Sequence, residues 1–131
     1  PPVTHYTKAF ELLKYKNSEA SMKKFMGIKQ CIEEHTLMLN YLSKFMKAYK
    51  ESPKISLIWA TWLAHEDNDL LFHADNQLFN YFREHKKTLD KSYVFLMGDH
   101  GRRWGNIRKT SIGQLEVNNP MMFVSVPRHL R

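Results

Sequence analysis

The sequence has one cysteine, Cys31, in 131 residues. A single cysteine excludes an intrachain disulfide and is most simply interpreted as a small buried apolar residue. No apolar run approaches the roughly 20 residues that span a bilayer. There is no charged-then-apolar signal segment, repeat or low-complexity tract. The chain starts Pro1-Pro2 rather than with Met, so we expect a processed form or a piece of a longer protein.

Acidic residues are also scarce: 13 stand against 20 Lys and Arg, for a net charge of +7. Such a balance favours anionic partners, namely nucleic acid, phosphorylated or sulfated substrates, or acidic membrane. No basic helix or aromatic-basic strand supports nucleic-acid binding, so we expect no nucleic-acid partner. The lysines are scattered, whereas arginines concentrate late in the chain, at Arg102, Arg103, Arg108, Arg128 and Arg131.

The composition, 43% apolar and 25% charged, is that of one modest globular domain. Helical spacing of apolar residues predicts helices over 4–16, about 35–50 and about 69–87. Three apolar runs predict buried strands over Ile55–Ala64, Ser92–Gly98 and Met121–Val126. Residues 16–30 and the glycine-containing residues 99–120 are predicted to be loops, and long loops of the second kind are usually functional.

This order predicts an α/β fold with a parallel βαβ core and flanking helices, since a strand, a crossover helix and a strand form a right-handed parallel unit. Three such apolar strands standing alone would leave open edges and uncovered faces. We therefore predict that residues 1–131 are a single partial domain of a larger α/β domain.

Polar residues follow the first two predicted strands at the point where each strand ends. His65 follows the first strand, and Asp99 and His100 follow the second. Parallel strands end at the same rim of a sheet, where ligands bind in α/β folds. Two imidazoles and a carboxylate at one rim suit Zn²⁺ or a similar divalent ion. The alternatives are a chance Asp-His dipeptide and a His65 that merely hydrogen-bonds a loop.

Three further residues complete the candidate set. Arg102 and Arg103 would clamp the oxygens of an anion, since guanidinium binds such groups bidentately. Alternatively, Arg103 is only a solvated charge. Asp75 falls on the predicted buried stripe of the third helix, where an unpaired carboxylate is costly. We predict for it a structural hydrogen bond to a nearby loop.

The segment Phe95-Leu-Met-Gly-Asp-His-Gly101, with Arg103 and Gly105, resembles the Asp-His-Gly motif of the alkaline phosphatase and sulfatase superfamily. The chain is more closely similar to the animal family called domain of unknown function 229, a sulfatase-like branch. Further matching pieces run from about Tyr6 onward and include Cys31-Ile32, Trp62-Leu-Ala-His65, Asp75, Ile107-Arg108-Lys-Thr110, Gly113, Asn119-Pro120 and Val126-Pro127.

The resemblance implies a partial alkaline-phosphatase/sulfatase-like sheet and the C-terminal portion of a metal-dependent hydrolase domain. Asp99 and His100 would bind the metal, with zinc expected first and calcium or magnesium as alternatives. An upstream Asp-x-x-x-His element binds a second metal in two-metal members, and His65 falls on its histidine. Thr61 stands where that element has Asp, so a one-metal site fits better. The nucleophile has no match here, and we expect this piece alone to be inactive.

Two functions follow from the resemblance. The first is a hydrolase acting on sulfate or phosphate esters, with an anionic small molecule or glycan ester as substrate. The second is a catalytically degenerate relative that binds partners outside the cell or at its surface, as Thr61 suggests. Family members are typically secretory, extracellular or membrane-anchored through a segment absent here, which gives the expected localisation. Substrate and oligomeric state are not predicted.

Overall fold

Helices and two short strands alternate along the chain in the computed structural model, which describes residues 3–16, 32–65 and 68–131. The helices are α1 (Lys8–Lys16), α2 (Glu34–Ala48), α3 (Thr61–Ala64), α4 (Phe72–Glu84), α5 (Lys86–Leu89) and α6 (Ser111–Asn118). Short 3-10 helices lie at Asn68–Leu71, Asn106–Lys109 and Arg128–Leu130. The strands are β1 (Val94–Met97) and β2 (Met122–Ser125). The chain forms two compact units, unit 1 (Pro1–Asp75) and unit 2 (Asn76–Arg131).

The three helices predicted from periodicity are confirmed as α1, α2 and α4. In unit 1, the chain before α1 lies against α2 through His5. One ring nitrogen of His5 is 3.2 Å from the Tyr41 hydroxyl, and the other is 2.8 Å from the Tyr49 hydroxyl. The Phe45 ring lies 5.2 Å from the imidazole, edge to face. The tyrosines one turn either side of Phe45 therefore hold the entering chain on α2.

In unit 2, β1 and β2 pair antiparallel, with Val94 opposite Ser125 and Met97 opposite Met122. The N–H of Arg128 donates to the carbonyl of Asp90 at 2.7 Å, which joins the two chain segments beyond one end of the sheet. The predicted strands over 92–98 and 121–126 are thus confirmed in place. A mixed helix and strand composition is confirmed as well, but the one sheet in the described residues is antiparallel.

The prediction of a strand over Ile55–Ala64 is wrong. Residues 53–60 have no regular secondary structure, and Thr61–Ala64 is the helix α3. Ile55 is 96% exposed and Leu57 is 85% exposed. A strand exists only where its backbone N–H and C=O groups bond to a neighbouring strand, and an apolar run does not supply that neighbour. The predicted parallel βαβ core is therefore not confirmed.

The prediction of a long glycine-containing loop over 99–120 is wrong for residues 111–118, which form α6. Thr110 caps this helix by accepting the N–H of Gly113 on its hydroxyl oxygen at 3.0 Å. Gly113 argued against a helix, since glycine costs about 1 kcal/mol in a helix interior. A Cβ on Gly113 would lie 2.0 Å from the Ile107 carbonyl oxygen. Close packing against residue 107 therefore requires glycine here and overrides its poor propensity.

Few apolar side chains are buried among the described residues: only Ala74 and Tyr81 count as core. Both faces of the sheet stay open, with Phe95 54% and Phe123 61% exposed. Cys31 and most of the loop predicted over residues 16–30 lie outside the described residues. In the described part of the chain, no helix has both the length and the apolar character needed to cross a bilayer.

Candidate metal centre

Asp99 and His100 follow β1 at the point where the chain leaves the sheet. The N–H of Gly98 still donates to the Met121 carbonyl at 2.9 Å, one residue beyond the strand pair. Asp99 then turns back on its neighbour, because its Oδ1 accepts the backbone N–H of His100 at 2.9 Å. Both side chains are exposed, His100 by 36% and Asp99 by 53%. The strand end therefore presents the pair to solvent rather than to a core.

The ring of His100 has a defined orientation. Its Nδ1 lies 2.8 Å from the Gly101 carbonyl oxygen. A carbonyl oxygen only accepts hydrogen bonds, so Nδ1 is the donating nitrogen, and in the neutral form of the ring the lone pair lies on Nε2. That Nε2 lies 3.7 Å from Asp99 Oδ2. One imidazole nitrogen and one carboxylate oxygen thus face the same side.

This donor pair fits part of a metal site. A tetrahedral zinc ion with bonds of about 2.1 Å holds two donor atoms about 3.4 Å apart. The 3.7 Å between His100 Nε2 and Asp99 Oδ2 is close to that value. Catalytic zinc sites use three protein ligands. Within the described ranges, no group of three or more His, Cys, Asp or Glu side chains is arranged to hold a metal, so the pair supplies at most two ligands.

The Asp-His pair is fastened to α6 through the next residue, Gly101. The N–H of Gly101 donates to the carbonyl of Val117 at 3.2 Å. A Cβ on Gly101 would lie 2.3 Å from the carbonyl oxygen of Glu116. The backbone after His100 therefore rests directly on the backbone of the last turn of α6. The sequence pattern, which predicts a loop over the whole segment, contains no sign of this contact.

The two arginines predicted to bind an anion follow Gly101 in the same loop. Arg102 is half-buried and Arg103 is exposed. The loop ends at Gly105, whose φ of +89° lies in the left-handed region that favours glycine. Arg102 Nε lies 3.5 Å from the position of a Cβ on that glycine. Both arginines thus lie within four residues of the Asp-His pair along the chain.

His65 and Asp75 belong to unit 1, whereas Asp99 and His100 belong to unit 2. His65 follows α3 and is exposed. Its predicted meeting with the Asp-His pair relied on a strand that is not formed, and it stays a prediction. Asp75 lies on α4 and is exposed rather than buried, although Ala74 beside it is 1% exposed. Asp75 was predicted to need a hydrogen-bond partner because burial would desolvate its carboxylate. Since it is exposed, that reason no longer applies.

Comparison with known proteins places the chain in a family. The family described as protein of unknown function, DUF229, matches residues 1–131, which is the whole chain. The chain belongs to the DUF229 family. No curated protein and no solved structure matches this DUF229 chain.

A second cluster of titratable side chains in this DUF229 protein lies in unit 1, around Glu33. Glu33 Oε1 lies 3.1 Å from Nδ1 of His73, and Oε2 lies 3.2 Å from Nε2 of His35. His35 Nε2 makes no hydrogen bond, so it lies close to Glu33 without being aligned to it. The side chains are 8% exposed for His35 and 14% for Glu33. No pattern in the sequence links His73 to Glu33, which lies 40 positions earlier.

A third charged group of the DUF229 chain lies around Asp90, which follows α5. Lys86 Nζ donates to Asp90 Oδ2 at 2.6 Å across one helical turn. This hydrogen bond lowers the pKa of Asp90 below its ordinary value of 3.8; desolvation opposes the shift, and the charges of Lys86, Arg131 and Arg128 add to it. Arg131 also donates to the Val126 carbonyl at 3.0 Å. The cluster ties the chain beyond β2 to α5.

Proposed function

We propose that this DUF229 chain is part of a metal-dependent hydrolase acting on sulfate or phosphate esters, as in the sulfatase-like branch of the alkaline phosphatase superfamily. The observation that carries the proposal is the facing pair of donor atoms, His100 Nε2 and Asp99 Oδ2, 3.7 Å apart at a strand end. A bound zinc ion would polarise an ester oxygen and lower the pKa of the nucleophile. His65 is the proposed further contact to metal or substrate.

Charge supports an anionic substrate. Unit 2 has ten Lys and Arg against four Asp and Glu, which is a net +6. Arg102 and Arg103 follow the Asp-His pair after Gly101 and would bind the nonbridging oxygens of a sulfate or phosphate ester. Guanidinium suits this role because its donors match two oxygens at once. The proposed substrate is an anionic small molecule or a glycan ester.

The exposed apolar surface supports membership of a larger domain. Both faces of the β1–β2 sheet and the apolar segment 55–60 leave large side chains in water. Apolar sheet faces of α/β proteins are ordinarily covered by further elements. We propose that the complete sheet is the parallel one of the superfamily, with the nucleophile and first metal-binding carboxylate contributed by sequence outside this chain. The same resemblance favours the secretory pathway, outside the cell or anchored to a membrane.

The test uses full-length protein with Asp99→Ala and His100→Ala introduced together. The proposal expects bound zinc, measured by plasma mass spectrometry, to fall by at least half, and hydrolysis of an aryl sulfate or aryl phosphate to be lost. His129→Ala is the matched control, because His129 is an exposed histidine of the same unit away from the pair. Unchanged zinc content in the double variant would refute the metal role.

A second candidate function is binding without catalysis. Thr61 occupies the position at which the superfamily's second-metal element has Asp, and it opens the short helix α3. A protein that binds zinc through Asp99 and His100 but hydrolyses neither aryl ester would support this candidate. Turnover of either ester that depends on His100 would exclude it.

A further inference from the structure

We propose that α6, acting through Gly101, is the element that positions His100 for metal binding. This inference rests on the proposed function. It assigns a positioning role to a helix and a glycine that touch neither metal nor substrate. The starting observation is that Gly101 contacts α6 through its backbone N–H and His100 through its backbone carbonyl.

On one side, Gly101 is seated on the last turn of α6. Its N–H satisfies the Val117 carbonyl at 3.2 Å, which is one of the terminal carbonyls that a helix cannot satisfy internally. A Cβ at this position would also lie 2.6 Å from the Glu116 carbonyl carbon and 2.9 Å from Val117 Cα. These are backbone atoms, which cannot swing aside. Any side chain at 101 must therefore push the loop away from the helix.

On its other side, Gly101 sets the orientation of the imidazole. Its carbonyl accepts Nδ1–H of His100 at 2.8 Å. A hydrogen bond from the far nitrogen of a metal-binding histidine fixes the tautomer and the ring orientation, and it raises the basicity of the ligating nitrogen. The position of α6 is thereby transmitted through one residue to the lone pair on Nε2.

The helix is itself fixed at its other end. Thr110 Oγ1 donates to the Ile107 carbonyl at 2.7 Å and accepts the N–H of Gly113 at 3.0 Å. Gly113 is buried, with no room for a Cβ beside residue 107. α6 is therefore held between Ile107 at its start and Gly101 at its end. A helix fixed at both ends is a suitable support for a ligand that must keep its orientation.

The decisive variant is Gly101→Ala in the full-length protein, compared with Gly105→Ala. Gly105 lies in the same loop and also needs glycine, for its positive φ, but its Cβ would meet only Arg102 Nε at 3.5 Å. It therefore controls for loop strain. We expect the affinity for Zn²⁺ alone, measured by chelator competition, to fall about 10- to 100-fold in Gly101→Ala. We expect less than about a threefold fall in Gly105→Ala.

A second readout does not depend on metal. In metal-free protein, ¹⁵N NMR of the His100 ring should show the Nδ1–H tautomer, and Gly101→Ala should shift the ring toward a mixture of tautomers. Equal zinc affinities in the two glycine variants, or an unchanged tautomer, would overturn the positioning role. Should Gly101→Ala fail to fold, Thr110→Ala decides, since loss of the cap should weaken zinc binding severalfold and an unchanged affinity would count against the role of α6.

Asp99→Ala measured in parallel separates this inference from the proposed function. An unchanged zinc affinity in Asp99→Ala would count against the metal site. A zinc affinity that falls in Asp99→Ala but not in Gly101→Ala would remove only the positioning role of α6.

Discussion

The two units of the chain use the same residue types in opposite ways. In unit 1, the Glu33 carboxylate lies between two imidazoles, and the side chains of Glu33 and His35 are largely buried. In unit 2, Asp99 and His100 stand next to each other with both side chains exposed. The burial of His35 and Glu33 keeps their polar atoms away from a ligand in solution. An exposed pair keeps donor atoms available to a ligand, so burial separates the structural cluster from the candidate site.

The two units also differ in net charge and in the type of basic residue that they contain. Unit 1 has ten lysines, no arginine and nine acidic residues, a net +1, whereas all six arginines of the chain lie in unit 2 with its net +6. Lysine is a strongly hydrated point charge, and arginine is the residue that binds flat oxyanions bidentately. This difference in charge is one reason for proposing that unit 2 binds the anionic ligand.

The strongest test of this comparison exchanges the carboxylates for alanine. Glu33→Ala should lower the free energy of unfolding by about 2 kcal/mol, because it leaves His35 and His73 without their buried partner. Asp99→Ala should change it by less than about 0.5 kcal/mol, since its contacts are exposed. Urea unfolding measures both, with Glu51→Ala as the control in unit 1, because the Glu51 side chain is 89% exposed. Equal losses of unfolding free energy in the two variants would show that Glu33 and Asp99 contribute equally to stability, against the proposed difference between the clusters.

Removing the arginines beside the pair should weaken substrate binding by a somewhat smaller amount. With Arg102→Ala and Arg103→Ala combined in the full-length protein, we expect KM for an aryl sulfate or phosphate to rise about tenfold, roughly 1.4 kcal/mol. The effect should shrink as ionic strength rises. Lys44→Ala with Lys47→Ala, two charges of unit 1, is the control. A rise in KM of similar size in the control would mean that net charge, not position, matters.

His5 provides a third test, because it is a histidine of unit 1 that is paired but not deeply buried. His5→Ala removes both contacts with Tyr41 and Tyr49, and we expect a loss of about 1 kcal/mol in stability with no change in zinc content. Thermal unfolding followed by tyrosine fluorescence reports the first quantity. A loss of bound zinc in this variant would mean that unit 1 also takes part in zinc binding.

The smallest effect concerns Asp90. Its pKa is lowered by Lys86 and by the neighbouring arginines, so the folded state binds this proton less readily than the unfolded chain. The contribution to stability is therefore fully present at neutral pH and is lost as pH falls below 3.8 through the lowered pKa. Urea unfolding of wild type and Asp90→Asn should differ at pH 7 and converge in strong acid. A difference that persists at the lowest pH would indicate another origin.

The local sequence pattern was enough to predict helices, and strands whose partner lies in the same unit. The apolar spacing along α2 and α4 and the apolar runs of β1 and β2 predicted these elements near their observed bounds, since helix hydrogen bonds are internal and each strand has its partner in the same unit. Ile55–Ala64 has as apolar a sequence, yet it forms no strand because no described segment pairs with it. For α6, the glycine at 113 obscured a helix that the Thr110 cap could have indicated.

The sequence by itself determined the family, the Asp99-His100 dipeptide at a strand end and the arginines that follow it. Only the tertiary structure decided that Gly101 rests on α6, that His100 Nδ1 donates to the Gly101 carbonyl, and that Asp75 is exposed. The physical reason is that composition and spacing record which chemical groups are available. The contact of a loop with a helix and the burial of a carboxylate depend on residues many positions away, which no local pattern contains.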